Sequence, residues 1–232
     1  MRLLSFALFI LSAFCGCRDT RDFSASKSLA TAPGGAEEVI SDEIANSPHV
    51  QSLAYLIDWE RLDAITRKRG ATPSLRKACY RLEIAKRAGI AIGDLIEGSH
   101  RRNGVTGTER ARAVTISLEQ NHMILSMMGC FDDTGLAKLE DGKAPTITLG
   151  DQTGEMATVD HVLPRSVVPE LDNRLYNLRF LAESLNQAKG ASISPDNLAL
   201  AESWYRIGLL SEVGFEAAKT EADSSLDSPL GS

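Results

Sequence analysis

Between Val50 and Met128 the apolar residues of this chain recur at helical spacing, and after Phe131 that texture gives way to loops and short strand-like runs mixed with helical ones. That change of period divides the sequence into a helical part and a part of mixed texture. On the first side, Val50, Leu53, Leu56, Ile57, Leu62 and Ile65 line one helical face after Pro48, and Gly70 ends the run. A second helix starts near Pro73, with Leu75, Cys79, Leu82 and Ala85 inward and Arg76, Lys77, Arg81, Lys86 and Arg87 outward, and Gly89 stops it. Residues Gly98 to Gly107 read as a flexible polar loop carrying His100, Arg101, Arg102 and Asn103. Thr108 then opens a long helix through Ala113, Ile116, Ile124 and Met128 toward Gly129. His49 and His122 fall inside these helical patterns, as surface or satisfied core histidines.

After Phe131, the residues Asp132, Asp133, Gly135, Asp141, Gly142 and Pro145 mark loops, and the runs Thr146 to Leu149 and Met156 to Leu163 have strand character. A helical segment is expected from Asn177, with Leu178, Leu181, Leu185 and Ala188 on one side and Gly190 at its end. A last helix begins with Ser194 as cap and Pro195 at its first position, and carries Leu198, Leu200, Trp204, Ile207 and Leu210. From Thr220 the chain is acidic and Ser-rich, which predicts a disordered tail over 220–232. The expected class is therefore α+β: a helical region over 37–130, then short strands and helices over 131–219.

The N-terminus carries a different signal. Arg2 gives a short positive start, Leu3 to Phe14 a compact apolar run, and small residues follow, so 1–17 reads as an export signal too short to span a membrane. The sequence Phe14-Cys15-Gly16-Cys17 resembles a bacterial lipobox, in which Cys17 becomes the acylated mature N-terminus; Phe14 stands where Leu is usual. Simple secretory cleavage is the alternative, and either places the chain in the envelope, periplasm or medium. Residues 18–36, rich in Ser, Thr, Ala and Gly, suit a tether. In an exported chain Cys79 and Cys130 form a disulfide or stay as two buried thiols, and no CxxC pair suggests structural zinc.

A hydrophobic content of 43% is that of a globular protein, and a formal net charge of -6 argues against coating nucleic acid by bulk charge. The charge is uneven. Between Arg61 and Arg112 stand thirteen Lys or Arg against five Asp or Glu, a stretch that faces a polyanion or forms the solvated sides of ordinary helices.

The most specific pattern is an ordered set in the C-terminal half. Asp160-His161 lies in Thr158-Val159-Asp160-His161-Val162-Leu163-Pro164-Arg165-Ser166; Asn177-Leu178 begins sixteen residues beyond His161, and Asn186 comes nine further on, within Asn186-Gln187-Ala188-Lys189-Gly190. Asp160, Asn177 or Asn186 taken singly fits a turn or a cap. Together and in this order they resemble the HNH endonuclease family, over about 38 residues between Gly154 and Ala191. The resemblance implies a ββα-metal core, two short strands and a helix around one divalent ion, and a metal-dependent nuclease acting on nucleic acid, DNA in the first instance.

Phosphodiester hydrolysis asks for what these positions supply. Water must lose a proton near neutral pH, and imidazole suits that work, which makes His161 the general base. A hard cation, Mg2+ or alternatively Mn2+, offsets phosphate charge through oxygen ligands, here Asp160 and the side-chain oxygen of Asn186. By resemblance, Asn177 orders the loop and steadies the His161 ring, and Asn186 replaces a final histidine. Arg165, Arg179 and Lys189 are the candidate phosphate contacts. Adjacent residues on a strand point to opposite sides, so Asp160 and His161 serve one site only near a bulge or strand end. The cysteine pairs that bind structural zinc in many members are absent, Ala182 and Leu185 standing where the second would fall, so packing through Leu178, Phe180 and Leu181 must hold the core. The competing expectation is a non-catalytic envelope lipoprotein that binds a protein partner and keeps a vestigial motif. No nucleophile elbow, HExxH motif or phosphate-cradling Gly loop is present.

Overall fold

A computed structural model describes residues 46–66 and 70–227. The export signal, Cys17, the tether over 18–36 and the last residues of the tail lie outside the described residues. Among the described residues the fold is α+β, mostly helical with one small antiparallel hairpin.

Ser47 caps α1 (Pro48–Ile57) by accepting the Val50 N–H, and Pro48 sits in the first turn, where a missing N–H breaks no helical bond. The expected single helix to Ile65 is interrupted at Asp58, whose carboxylate accepts from the Glu60 and Arg61 N–H groups and starts α2 (Trp59–Asp63). Helix α3 (Thr72–Arg87) buries Leu75, Ala78, Cys79, Leu82 and Ala85 completely, a stripe at helical period. The segment Gly98 to Gly107, expected as a polar loop, begins inside helix α4 (Ile92–Arg102), and only 103–107 lie in the turns beyond it. Leu95, Ile96 and Ser99 make its buried face, and His100 is buried against the hydroxyl of Thr115 at 3.0 Å, so the apolar turn before the polar residues decided the matter.

Thr108 caps α5 (Glu109–Met127) as expected, and Gly129 ends it in a left-handed turn at φ 68, packed so closely on Thr148 and Leu149 that a side chain would not fit. Asp132, read from sequence as a loop residue, accepts the Gly135 N–H and caps helix α6 (Asp133–Glu140). Cys79 and Cys130 are both buried and free; burial raises both thiols, Cys130 to about 12.

The sheet differs from expectation. Thr146 makes only an isolated bridge to Met156, whereas β1 (Ala157–His161) pairs antiparallel with β2 (Leu178–Ala182), in a stretch that the spacing predicted as helix. The reason is visible in the burial: Leu178, Phe180 and Ala182 alternate inward with Arg179 and Leu181 between them, a period of two that overrides the helical spacing of Leu178, Leu181 and Leu185. The helix that follows is the shorter α7 (Glu183–Lys189), ending at Gly190. Helix α8 (Pro195–Arg206) is capped by Ser194, and a further helix α9 (Glu212–Asp227) takes in 220–227, the described part of the segment expected to be disordered.

One core joins these parts. Phe180 and Leu178 from the hairpin, Leu118 and Leu125 from α5, Leu82 from α3 and Trp204 from α8 belong to it. Among the described residues no helix is long and apolar enough to cross a membrane.

Candidate functional site

The two faces of the hairpin have different work. Register pairs Asp160 with Arg179 and Thr158 with Leu181, so these four share one face, while Ala157, Phe180 and Ala182 are buried on the other. Helix α7 lies on the first face through two rungs one helical turn apart. Asn186 Nδ2 donates to Thr158 Oγ1 at 3.0 Å, and Lys189 Nζ donates to Asp160 Oδ1 at 3.1 Å. The N-terminus of α7 has no cap of its own; the Glu155 carboxylate accepts from Ser184 N at 2.9 Å and from Ser184 Oγ at 3.0 Å.

Asp160 is thus the centre of a charge cluster. Its carboxylate, 7% exposed, meets Lys189 at one oxygen and Arg179 Nε at the other, 3.4 Å away. Lys189 also donates to the backbone carbonyl of His161 at 2.7 Å. Burial lowers the Lys189 ammonium below its ordinary pKa, and the Asp160 charge opposes that shift. Both expected phosphate contacts on this face, Arg179 and Lys189, therefore turn their charge toward Asp160. Arg165 stands exposed past the end of β1.

His161 ends the strand, and its ring turns away from this cluster. Its Nε2 lies 3.1 Å from the backbone oxygen of Asp172 and 3.0 Å from Asp172 Oδ1. Both partners only accept, so the nitrogen facing them carries the hydrogen, and in the neutral ring Nδ1 keeps the lone pair. The side chain is 22% exposed, open enough for a reactant to reach it. The ring's hydrogen bonds go to Asp172, and none joins it to Asp160 or Asn186.

Asn177 is fully buried, and every bond of its side chain goes to the backbone of the loop between the strands. Oδ1 accepts from Leu163 N at 2.8 Å, and Nδ2 donates to Leu163 O at 3.0 Å and Leu171 O at 3.3 Å. It ties the loop together directly before Asp172, so its influence on the His161 ring passes through that loop.

Three contributors escaped sequence reasoning. Asp172 orients the imidazole, Thr158 positions Asn186, and Asn121 of α5 covers the free edge of β2, accepting from Phe180 N at 2.9 Å and donating to Leu178 O at 2.9 Å. Asn121 was hidden inside a helical pattern, and no spacing rule marks a loop aspartate such as Asp172.

The donor chemistry on the Asp160 face suits a hard cation: a carboxylate, and the Asn186 carbonyl oxygen, which is left over once its amide nitrogen has bonded to Thr158. Among the described residues no group of three or more His, Cys, Asp or Glu side chains is gathered as a metal site. Much of the basic stretch is engaged elsewhere: Arg61 stacks on Tyr55 at 4.4 Å, Arg110 on Trp59 at 4.6 Å, Arg87 pairs with Glu83, and Arg112 pairs with Glu109. Comparison of the chain with protein-family models, with curated proteins and with solved structures finds no match.

Proposed function

We propose that the hairpin and α7 form a ββα-metal site of the HNH type, and that the protein is a metal-dependent endonuclease hydrolysing phosphodiester bonds of nucleic acid, DNA first among them. One observation carries the reading. The order strand, strand, helix over β1, β2 and α7 sets Asp160 and Asn186 on one face, with a partly buried imidazole at the end of the same strand. That is the order in which the resemblance distributes its ligands and base.

The chemistry follows from the residues. Asp160 and Asn186 would hold a divalent ion, Mg2+ by preference and Mn2+ in its place, which would supply positive charge against the scissile phosphate. His161 takes the proton of the attacking water at Nδ1, and Asp172 fixes the ring and stabilises the imidazolium that results. Asn177 is a positioning residue, acting through the loop it braces. Arg165, exposed past β1, is placed to contact phosphate, and Arg179 and Lys189 would do so by turning away from Asp160. Outside the described residues, the leader and Cys17 extend the proposal to a lipid-anchored protein of the cell envelope, which meets nucleic acid away from the host chromosome.

Purified protein incubated with plasmid and Mg2+ or Mn2+ tests the assignment. His161→Ala is expected to slow cutting by roughly 100-fold or more, the range of a lost general base. Undiminished cutting by the variant removes His161 from the mechanism. The rival reading, a non-catalytic envelope lipoprotein with a vestigial motif, draws on one feature of the same geometry: the Lys189 ammonium already neutralises Asp160.

A further inference from the structure

We infer that Lys189 is a resident counter-cation of the metal-holding carboxylate, displaced when a divalent ion binds and thereby released to contact phosphate. The inference rests on the nuclease reading above and adds a second position for one of its residues.

Lys189 Nζ sits between two oxygens of adjacent residues, Asp160 Oδ1 at 3.1 Å and the His161 carbonyl at 2.7 Å, and its side chain is only 12% exposed. A half-buried ammonium in an oxygen-lined position does what a hard cation does there: it balances a carboxylate that is itself 7% exposed. With Arg179 on the other oxygen, each oxygen of Asp160 faces a positive charge. A divalent ion that approaches the same carboxylate meets two cations within a few ångströms, and one of them must leave.

The fold decides which one. Arg179 lies directly opposite Asp160 in the strand register, so its backbone is fixed by the ladder. Lys189 is the last residue of α7, followed by Gly190 at φ 54, and reaches Asp160 on a flexible four-carbon stem. Asn186 lies one helical turn before it on the same helix face, so the Asn186 amide and the Lys189 ammonium approach β1 side by side. Arrival of the ion frees a point charge at the edge of the site where phosphate is handled. Lys189 then serves as a phosphate contact only once the metal is in place, and the uncharged-by-metal site stays closed to premature anion binding by its internal ion pair.

Titration calorimetry of Mn2+ into the full chain tests this without relying on turnover. Lys189→Met keeps the apolar stem and removes the charge, and Lys189→Gln is a second neutral variant should the first fail to fold. Both are expected to bind Mn2+ roughly tenfold or more tighter than the wild type, while cutting DNA more slowly, and Asp160→Ala is expected to abolish uptake. Equal or weaker Mn2+ affinity in the neutral variants, with uptake still dependent on Asp160, overturns the displacement and leaves the metal site standing. Absence of Mn2+ uptake in the folded wild type and both variants overturns the nuclease reading, and the displacement with it.

Discussion

All of the hydrogen bonds made by the Asn177 side chain are to backbone groups of one loop, and it has no exposed surface with which to do anything else. Replacing it with alanine strands the buried N–H and carbonyl of Leu163, while Leu171 O keeps its bond from Arg174 N, and each stranded group costs about 1–3 kcal/mol. Asn177→Ala is therefore expected to lower unfolding stability by about 3 kcal/mol in a urea titration, and a loss under about 0.5 kcal/mol would contradict the bracing role. Residue identity was the most legible level of the sequence. Asp160, His161, Asn177, Asn186 and Lys189 were singled out through the ordered set that resembles the HNH family; the structure brings Asp160, Asn186 and Lys189 to one hairpin face and turns the His161 ring to Asp172. Asp172 was not legible, because its role depends on a loop closing back onto the end of β1, a long-range event that leaves no local pattern.

Between elements, the least legible feature was the choice between helix and strand over Leu178 to Ala182. Both periods fit the apolar residues there, and pairing with β1 plus the Asn121 clamp on the free edge decided for the strand. The α4 segment went the other way, because polar residues at a helix end look like a loop when its buried turn is short. A second inter-helix joint makes a pH prediction. His122 of α5 meets Glu83 of α3 at 2.9 Å, and Arg87 occupies the other carboxylate oxygen. Burial holds His122 below its ordinary 6.5, with the Glu83 contact working against that shift, and burial likewise lowers His100 below 6.5. A neutral His122 still donates its Nε2 hydrogen to Glu83, so the bond does not require the charge. Burial alone would raise Glu83, but the hydrogen bonds from Arg87 and His122 outweigh it and the carboxyl lies below its ordinary 4.5. All three groups bind protons more weakly folded than unfolded, so their stabilisation is complete above about pH 6.5 and declines as pH falls through that value, the Glu83 part below about 4.5. Urea midpoints are expected to be level from pH 8 to 7 and lower at pH 5; a midpoint unchanged at pH 5 contradicts the neutral buried imidazoles.

At the scale of the whole molecule, the helical body serves as the support that the hairpin lacks by itself. A two-stranded ribbon with a short helix buries too little to stand alone, and here it has no cysteine pairs to bind zinc in compensation. Phe180 fills the core beneath it, Ser117 and Asn121 of α5 hold its far edge and the turn before it, and Asn197 of α8 donates to Val162 O at 3.0 Å just past β1. The α+β class was readable from the change of period at Phe131, since burying an amphipathic stripe is a local demand. The tertiary support was not, because Asn121 and Asn197 look in sequence like ordinary helix positions. The proposed activity requires a single cation held by Asp160 and Asn186, with His161 at the end of the same strand. Diffraction at the manganese edge from crystals grown in saturating Mn2+ tests this most directly. The expected result is one anomalous peak touching the Asp160 carboxylate and Asn186 Oδ1, with Lys189 Nζ moved off Asp160; no peak there, with Lys189 still in place at saturation, would contradict it.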